Sequence, residues 1–284
     1  MAVEHAVLTL SCADRVGIVH AVSGLLAAHG CNIVDSSQFG DAGTGLFFLR
    51  VHLTTPADGI DLPALRAAFA PVGASYDMDW QLRDRAGRAR VVVMVSRLGH
   101  CLNDLLYRHS TGALRADLVA VVSNHPDLRA LVEAHGVPFV HVPVPPDGKQ
   151  AAEERLLELV RAERVELVVL ARYMQVLSDE LCSRLPDTIN IHHSFLPSFA
   201  GARPYHQAHA RGVKLIGATA HYVTPELDEG PIIEQEVARV DHAATPDRLV
   251  EIGRDLECVA LARAVGWHLD HRVLRHGSRT VVFP

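Results

Sequence analysis

Residues 91–96 read VVVMVS, an apolar run with no polar residue before its last position. A strand with one wet face alternates apolar and polar side chains. An unbroken apolar run instead marks a strand buried on both faces, which occurs where helices cover both sides of a parallel sheet. The rest of the chain fits that constraint. Strands are expected at 117–123, 138–142, 165–171 and 188–192, with helices near 101–111, 126–135 and 150–163. That alternation predicts an α/β fold with a doubly wound, mostly parallel sheet. A long helix over about 246–268 opens at a Thr-Pro signal, and RVLRHGSRTVVF (272–283) predicts a hairpin turning at Gly277.

Upstream the pattern changes. Residues 5–12 alternate apolar and polar like a half-buried strand. ADRVG follows, with Asp14 placed to cap a helix whose apolar positions Ile18, Val22, Leu25 and Leu26 recur at helical spacing, and Gly30 ends it. Strands are expected at 31–39 and 45–54 around a Gly-rich turn, then a helix near 62–72 and a strand near 75–82. The order βαββαβ predicts a ferredoxin-like sandwich, two helices on one face of an antiparallel sheet. The charged stretch RDRAGRAR (83–90) has no apolar period. The expected boundaries are therefore a first domain over 1–84, a linker over 85–90 and a second domain over 91–284.

Composition narrows the possible partners. A net charge of −6 disfavours a nucleic-acid partner. Five cysteines, an odd number with no CxxC pair, disfavour a disulfide framework or structural zinc and suit a reducing cytosol. No run of 18 apolar residues is present, so no membrane span is expected. Glu4 precedes the first Lys or Arg, Arg15, so no export signal is visible and a cytoplasmic location is expected.

The chemistry concentrates in residues 188–235. Asn190 and His192 lie two apart on an expected strand, so they share a face, and the strand stops just beyond them. Ligands of open α/β sheets bind past the C-terminal ends of the strands, where these two side chains sit. A second strand, GATAHYVT (217–224), leads into PELDEGP and can bring Asp228 to the same place. An amide, an imidazole and a carboxylate converging on one point suit acyl transfer: the amide donates to an oxyanion, the imidazole handles a proton, and the carboxylate orients it or the attacking water. On spacing alone, a strand-end amide, a core histidine and turn chemistry around Asp228 account for the same residues. His192-His193 invites a metal reading, but adjacent strand residues face opposite sides, and no HExxH is present, so no metal is expected.

Taken together, Asn190-Ile-His192, Leu196-Pro197, Gly201 and HYVTPELDEGPII (221–233) resemble the signature of the folate-dependent formyltransferase family. The resemblance implies a formyltransferase-like second domain with Asn190, His192 and Asp228 as the catalytic set. LARYMQVLS (170–178) is similar to the segment whose backbone holds the pterin ring. It implies folate contacts from Tyr173, Met174, Gln175, Val176 and Leu177, joined by Val223, Thr224 and Leu227. His100, His193, His221 and Arg203 are candidates for a supporting shell, Arg203 by pairing with the glutamate tail of folate. His193-Ser-Phe-Leu-Pro, GARPYHQA (201–208) and SRLGHCLNDLL (96–106) resemble the hydrolytic members of the family. Ribonucleotide-formylating members carry a Gly-rich phosphate loop after the first strand. Here Arg97, Leu98 and His100 stand in that loop and are expected to fill it.

The first domain resembles an ACT module, implying a small-molecule site near Asp14, Gly17, Ile18 and Asn32, an amino-acid effector, and a homo-oligomer, dimer or tetramer. The expected activity is hydrolysis of 10-formyltetrahydrofolate, the substrate, to tetrahydrofolate and formate, serving the one-carbon pool for purine biosynthesis. No cofactor, metal, nucleic acid or membrane is expected. The rival readings are a transferase to an amine and a non-catalytic folate or amino-acid sensor.

Overall fold

The computed structural model describes residues 4–55, 59, 61–196 and 204–284. The chain divides into two units: one reaches Gly87 and takes in 270–276 and 280–284, and the other holds 88–269 and 277–279. The first unit opens with β1 (His5–Ala13), α1 (Ile18–Ala28), β2 (Asn32–Asp41), β3 (Leu46–Thr54), α2 (Leu62–Ser75) and β4 (Asp79–Asp84). Its sheet runs β2-β3-β1-β4, antiparallel throughout. The alternation of β1 sends Ala6, Leu8, Leu10 and Cys12 into a core with Ile18, Val22 and Leu26 of α1 and Leu65 and Phe69 of α2. The expected βαββαβ sandwich is present.

Three local expectations give way. Asp14 does not cap α1: Gly17 is the N-cap, at φ 99°, with no side-chain hydrogen bond. A left-handed residue there turns the chain into the helix, and glycine adopts that conformation without a Cβ penalty. The strand expected at 75–82 begins later, because α2 continues to Ser75 and the chain reverses through Asp77 at φ 52°. β4 therefore runs to Asp84 and takes up part of the charged stretch. An edge strand tolerates charge on its open side, and only Leu82 is buried along β4.

The second unit contains β5 (Ala89–Val95), α3 (His100–Ser110), β6 (Ala116–Ser123), α4 (Arg129–Ala134), β7 (Phe139–His141), α5 (Lys149–Ala162), β8 (Leu167–Leu170), α6 (Asp179–Arg184), β9 (Asp187–His192), α7 (Pro204–Ala210), β10 (Leu215–Tyr222), β11 (Ile232–Arg239) and α8 (Pro246–Leu269). Its seven strands lie in the order β11-β10-β9-β8-β5-β6-β7. The five from β9 to β7 are parallel, and β10 and β11 add antiparallel strands at one edge. From β5 the chain winds outward to β6 and β7, and α5 then carries it back to β8 on the other side. The winding thus reverses between β5 and β8, where a doubly wound sheet opens a crevice at its C-terminal edge. Val91 to Val95 are all buried, as their unbroken apolar run requires.

The hairpin β12 (Val273–His276) and β13 (Arg279–Val282) corrects the expected second boundary. Val281 and Phe283 pack on Phe48, on the face of β3 that α1 and α2 leave uncovered. Residues 270–276 and 280–284 accordingly group with the first unit rather than with the catalytic-like one.

Candidate active site

Asn190 and His192 stand at the C-terminal end of β9, and the antiparallel register of β10 sets His221 opposite Asn190. A bulge between Ala220 and His221 shifts the pairing of β10 with β11 at this point. The loop that follows β10 carries Asp228 in a left-handed conformation, φ 59°. Gly230 is what lets this loop close: a Cβ there would lie 1.7 Å from the carbonyl oxygen of Tyr222. The Leu-Asp-Glu-Gly-Pro spacing therefore has a steric cause, since the glycine allows Asp228 to turn back over the strand.

The four polar side chains form one cluster. His192 Nδ1 is 3.2 Å from Asp228 Oδ1, and His221 Nε2 is 3.7 Å from the same oxygen. His221 Nδ1–H donates to the Tyr222 carbonyl at 2.9 Å, and its Nε2 lies 3.2 Å from the Asn190 amide nitrogen. A carbonyl only accepts, so Nδ1 carries a proton, while Nε2 faces both the Asn190 amide nitrogen and the Asp228 carboxylate. Hydrogen bonding from His192, with His221 adding to it, holds the Asp228 carboxyl well below the usual carboxylate range. His192 Nε2 is buried with no hydrogen-bond partner among the described residues. A buried polar atom left open is costly unless a ligand completes it.

These side chains line a cavity of about 270 Å³. All eight residues expected to hold folate line it too: Tyr173, Met174, Gln175, Val176 and Leu177 from the segment after β8, and Val223, Thr224 and Leu227 from the loop after β10. Met174, Val176 and Leu227 are apolar yet 57%, 60% and 65% exposed, a rim that suits a flat, partly apolar ring. Burial, with Glu153 adding to it, pushes the Tyr173 hydroxyl up to about 12, so it stays protonated.

His193 also lines the cavity, which corrects the opposed-faces argument. β9 ends at His192, so strand alternation stops there, and the two imidazole rings lie 4.9 Å apart. Burial, reinforced by the charges of Arg172 and His192, pushes His193 down to about 4. His100 is elsewhere: its Nε2 sits 2.6 Å from Glu257. Arg203, with Pro197 and Gly201 of the signature, lies outside the described residues. Arg97 and Leu98 do not fill the loop before α3 as expected. Both are exposed, and His100 alone of the three turns toward Glu257.

The residues expected to hold an effector are less concentrated. Asp14 and Gly17 lie in the loop entering α1, Ile18 is buried in the core, and Asn32 is exposed at the start of β2. Ile18 can therefore offer a ligand only its backbone.

Arg172 was not anticipated, although it lines the cavity. Glu257 was also missed. Its signal was present: Leu249, Gly253, Glu257, Leu261 and Val265 recur every four residues on the buried face of α8, and one of them is charged. His100, Cys101 and Glu257 place ligand atoms within 4.8 Å of one another, a spacing open to a metal. The donor set fits one poorly. Glu257 already serves His100 and Arg172, and a hydrogen bond with Cys258, with burial, raises the Cys101 thiol.

Comparison with known proteins gives consistent matches. Residues 89–265 match the formyl transferase family model, and residues 6–69 match that of the ACT domain. A formyltetrahydrofolate deformylase of Corynebacterium sp. (strain P-1) is 56% identical over 277 residues, 97% of each chain. The crystal structure of formyltetrahydrofolate deformylase from Burkholderia mallei superposes with a TM-score of 0.93 at 51% identity, covering 99% of this chain and 100% of that one. That from Pseudomonas syringae gives 0.95 at 49% identity, covering 100% and 96%.

Proposed function

We propose how the site works from one premise: the chain belongs to the formyl transferase family and, within it, to the formyltetrahydrofolate deformylases. It hydrolyses 10-formyltetrahydrofolate to tetrahydrofolate and formate. The observation that carries the assignment of roles is the convergence of Asn190, His192 and Asp228 on one apolar-rimmed cavity.

The pterin lies against the segment 173–177, with the N10-formyl group toward β9. Water attacks the formyl carbon, and the carbonyl electron pair moves onto oxygen. The Asn190 amide and the Nε2–H of protonated His192, whose Nδ1 is anchored by Asp228, donate to that oxyanion. Asp228 takes a proton from the attacking water. A carboxylate held so far toward its ionised form is a weak base toward free water, but the O–H of water already bonded to carbon is much more acidic. When the C–N10 bond breaks, the proton returns to N10 through a water, and formic acid leaves and ionises. 10-Formyltetrahydrofolate enters as substrate, with no cofactor or metal needed for these steps.

The assembly reading extends from the first unit. We propose a cytoplasmic homo-oligomer whose ACT-like unit binds an amino acid. Free cysteines and the exposed apolar residues Ile33, Val34 and Phe39 of β2 support this. No helix among the described residues is long and apolar enough to cross a membrane.

The decisive test is a mass-spectrometric product assay on purified protein with 10-formyltetrahydrofolate, with and without glycinamide ribonucleotide. Formate release unchanged by the amine is expected. A dominant formylated amine would overturn hydrolysis while leaving the cluster as the formyl-handling site.

A further inference from the structure

We propose that Arg172, held in place by Glu257, is a specificity-determining residue: it closes the crevice through which an amine would reach the formyl carbon and so leaves water as the nucleophile. This rests on the hydrolytic reading above and adds the reason for it.

The argument starts from topology. The winding reverses between β5 and β8, so the general rule places an open ligand crevice between the loops that follow these two strands. In this chain the loops are tied together. Ser96 N–H donates to the Arg172 carbonyl at 3.2 Å, and Ser96 Oγ accepts from Met174 N–H at 2.9 Å. Beside them the crevice holds side chains instead of an opening. Arg172 is 10% exposed and Glu257 2% exposed in their side chains, with Nε and Oε2 3.5 Å apart. His100, at the start of α3, binds the same carboxylate, and Tyr205 donates to its other oxygen at 3.1 Å. Gly253 makes room for Tyr205, since a Cβ there would come within 2.1 Å of the phenol. The folate cavity is displaced toward β9 and β10, and Arg172 is the member of the cluster that faces it.

Three features indicate that this arrangement is kept for something other than stability. A buried ion pair is commonly no better for folding than apolar side chains of the same volume. Arg172 moreover sits at φ 65°, a conformation glycine adopts freely and arginine does not. Its Nε also lacks a hydrogen-bond partner among the described residues, so the guanidinium is incompletely matched by the protein around it.

The chemistry of the two nucleophiles then separates them. To be formylated, an amine must bring its nitrogen to the formyl carbon and shed a proton, while N10 gains one. It arrives largely as an ammonium ion, and a fixed guanidinium in its path repels it as well as blocking it. Water arrives neutral and small. Discrimination of this kind comes from a repulsive element as much as from an attractive one.

The test measures the ratio of formylated amine to formate with 10-formyltetrahydrofolate and either glycinamide, charged near neutral pH, or hydroxylamine, largely neutral there. Arg172→Gly suits the backbone and opens the crevice, so its ratio with glycinamide should rise about tenfold or more over the parent. Arg172→Lys keeps the charge and should keep the parent ratio with glycinamide. If Arg172→Gly is insoluble because Glu257 is left unpaired, Arg172→Gly/Glu257→Gln removes both charges and carries the same expectation. A product ratio does not depend on how much enzyme is folded, so a merely structural role would not move it. An unchanged ratio in the glycine variants, or an equal rise in the lysine variant, would overturn the proposal. Failure of the parent to release formate without amine would instead overturn the hydrolytic reading.

Discussion

Asp228 and His193 show how two groups of one site are both pushed toward losing their proton, by different causes: the first is left charged and the second neutral. Asp228 is held as a carboxylate by His192 and His221, so it stays ionised through the neutral range. Asp228→Asn keeps the size and loses the proton acceptor, and kcat should fall by about 10²–10⁴ with little change in KM. Steady-state kinetics checks this, and activity within twofold of the parent would remove Asp228 from the mechanism. His193 is pushed from 6.5 to about 4, chiefly by burial. The unfolded chain takes up this proton near pH 6.5 and the folded chain only near pH 4, so the imidazole favours unfolding increasingly as pH falls between those values. The loss can reach on the order of 3 kcal/mol. Urea denaturation at pH 7 and at pH 4.5 should show the parent losing stability on acidification, and His193→Gln should lose less. Equal losses in the two proteins would show that His193 titrates normally.

β3 shows at the level of the element how far a pattern carries. Its run GLFFLRVHLT predicts a strand, yet it does not reveal what covers the second face, because the answer lies in the last residues of the chain. Arg50, in the middle of β3 and 1% exposed, donates to the carbonyls of Asp270 and His271 and pairs with Asp35 at 3.1 Å. Arg50→Met keeps an unbranched side chain but leaves those carbonyls without their donor, and should destabilise the protein by about 2–4 kcal/mol. A urea midpoint equal to the parent's would show that water replaces the guanidinium at no cost. The same distinction explains what else was legible. β5 could be read because five adjacent apolar residues need no knowledge of the rest of the chain, and Asn190-Ile-His192 because a strand end brings its own geometry. Glu257 could not be placed, since its partners His100, Arg172 and Tyr205 come from three other parts of the chain. The reach of Arg97 and Leu98 was misjudged for the same reason: side-chain bulk is visible in a sequence, and side-chain direction is set by the packing.

At the scale of the whole molecule, the open question is why a hydrolase of one small amide carries a second folded unit. A site that regulates must change the affinity or rate at another site, and for binding the coupling is reciprocal: if an amino acid alters folate affinity by some factor, folate alters amino-acid affinity by the same factor. The left-handed Gly17 loop and the exposed edge strand β2 are places in the first unit where a ligand or a second copy can be received. Val34 bulges from the β2 register and is 53% exposed, an apolar side chain on an edge strand where a soluble monomer would carry charge. Val34→Lys places a charge there while leaving the second unit's sequence intact. If β2 joins subunits and the amino acid acts across that contact, light scattering will report a smaller particle. The reciprocal shift between amino-acid and folate binding in calorimetry will then disappear with it, while the product stays formate. A particle of unchanged mass would remove β2 from the interface. An amino-acid series that shifts neither folate binding nor melting temperature in the parent would leave the first unit with no effector role.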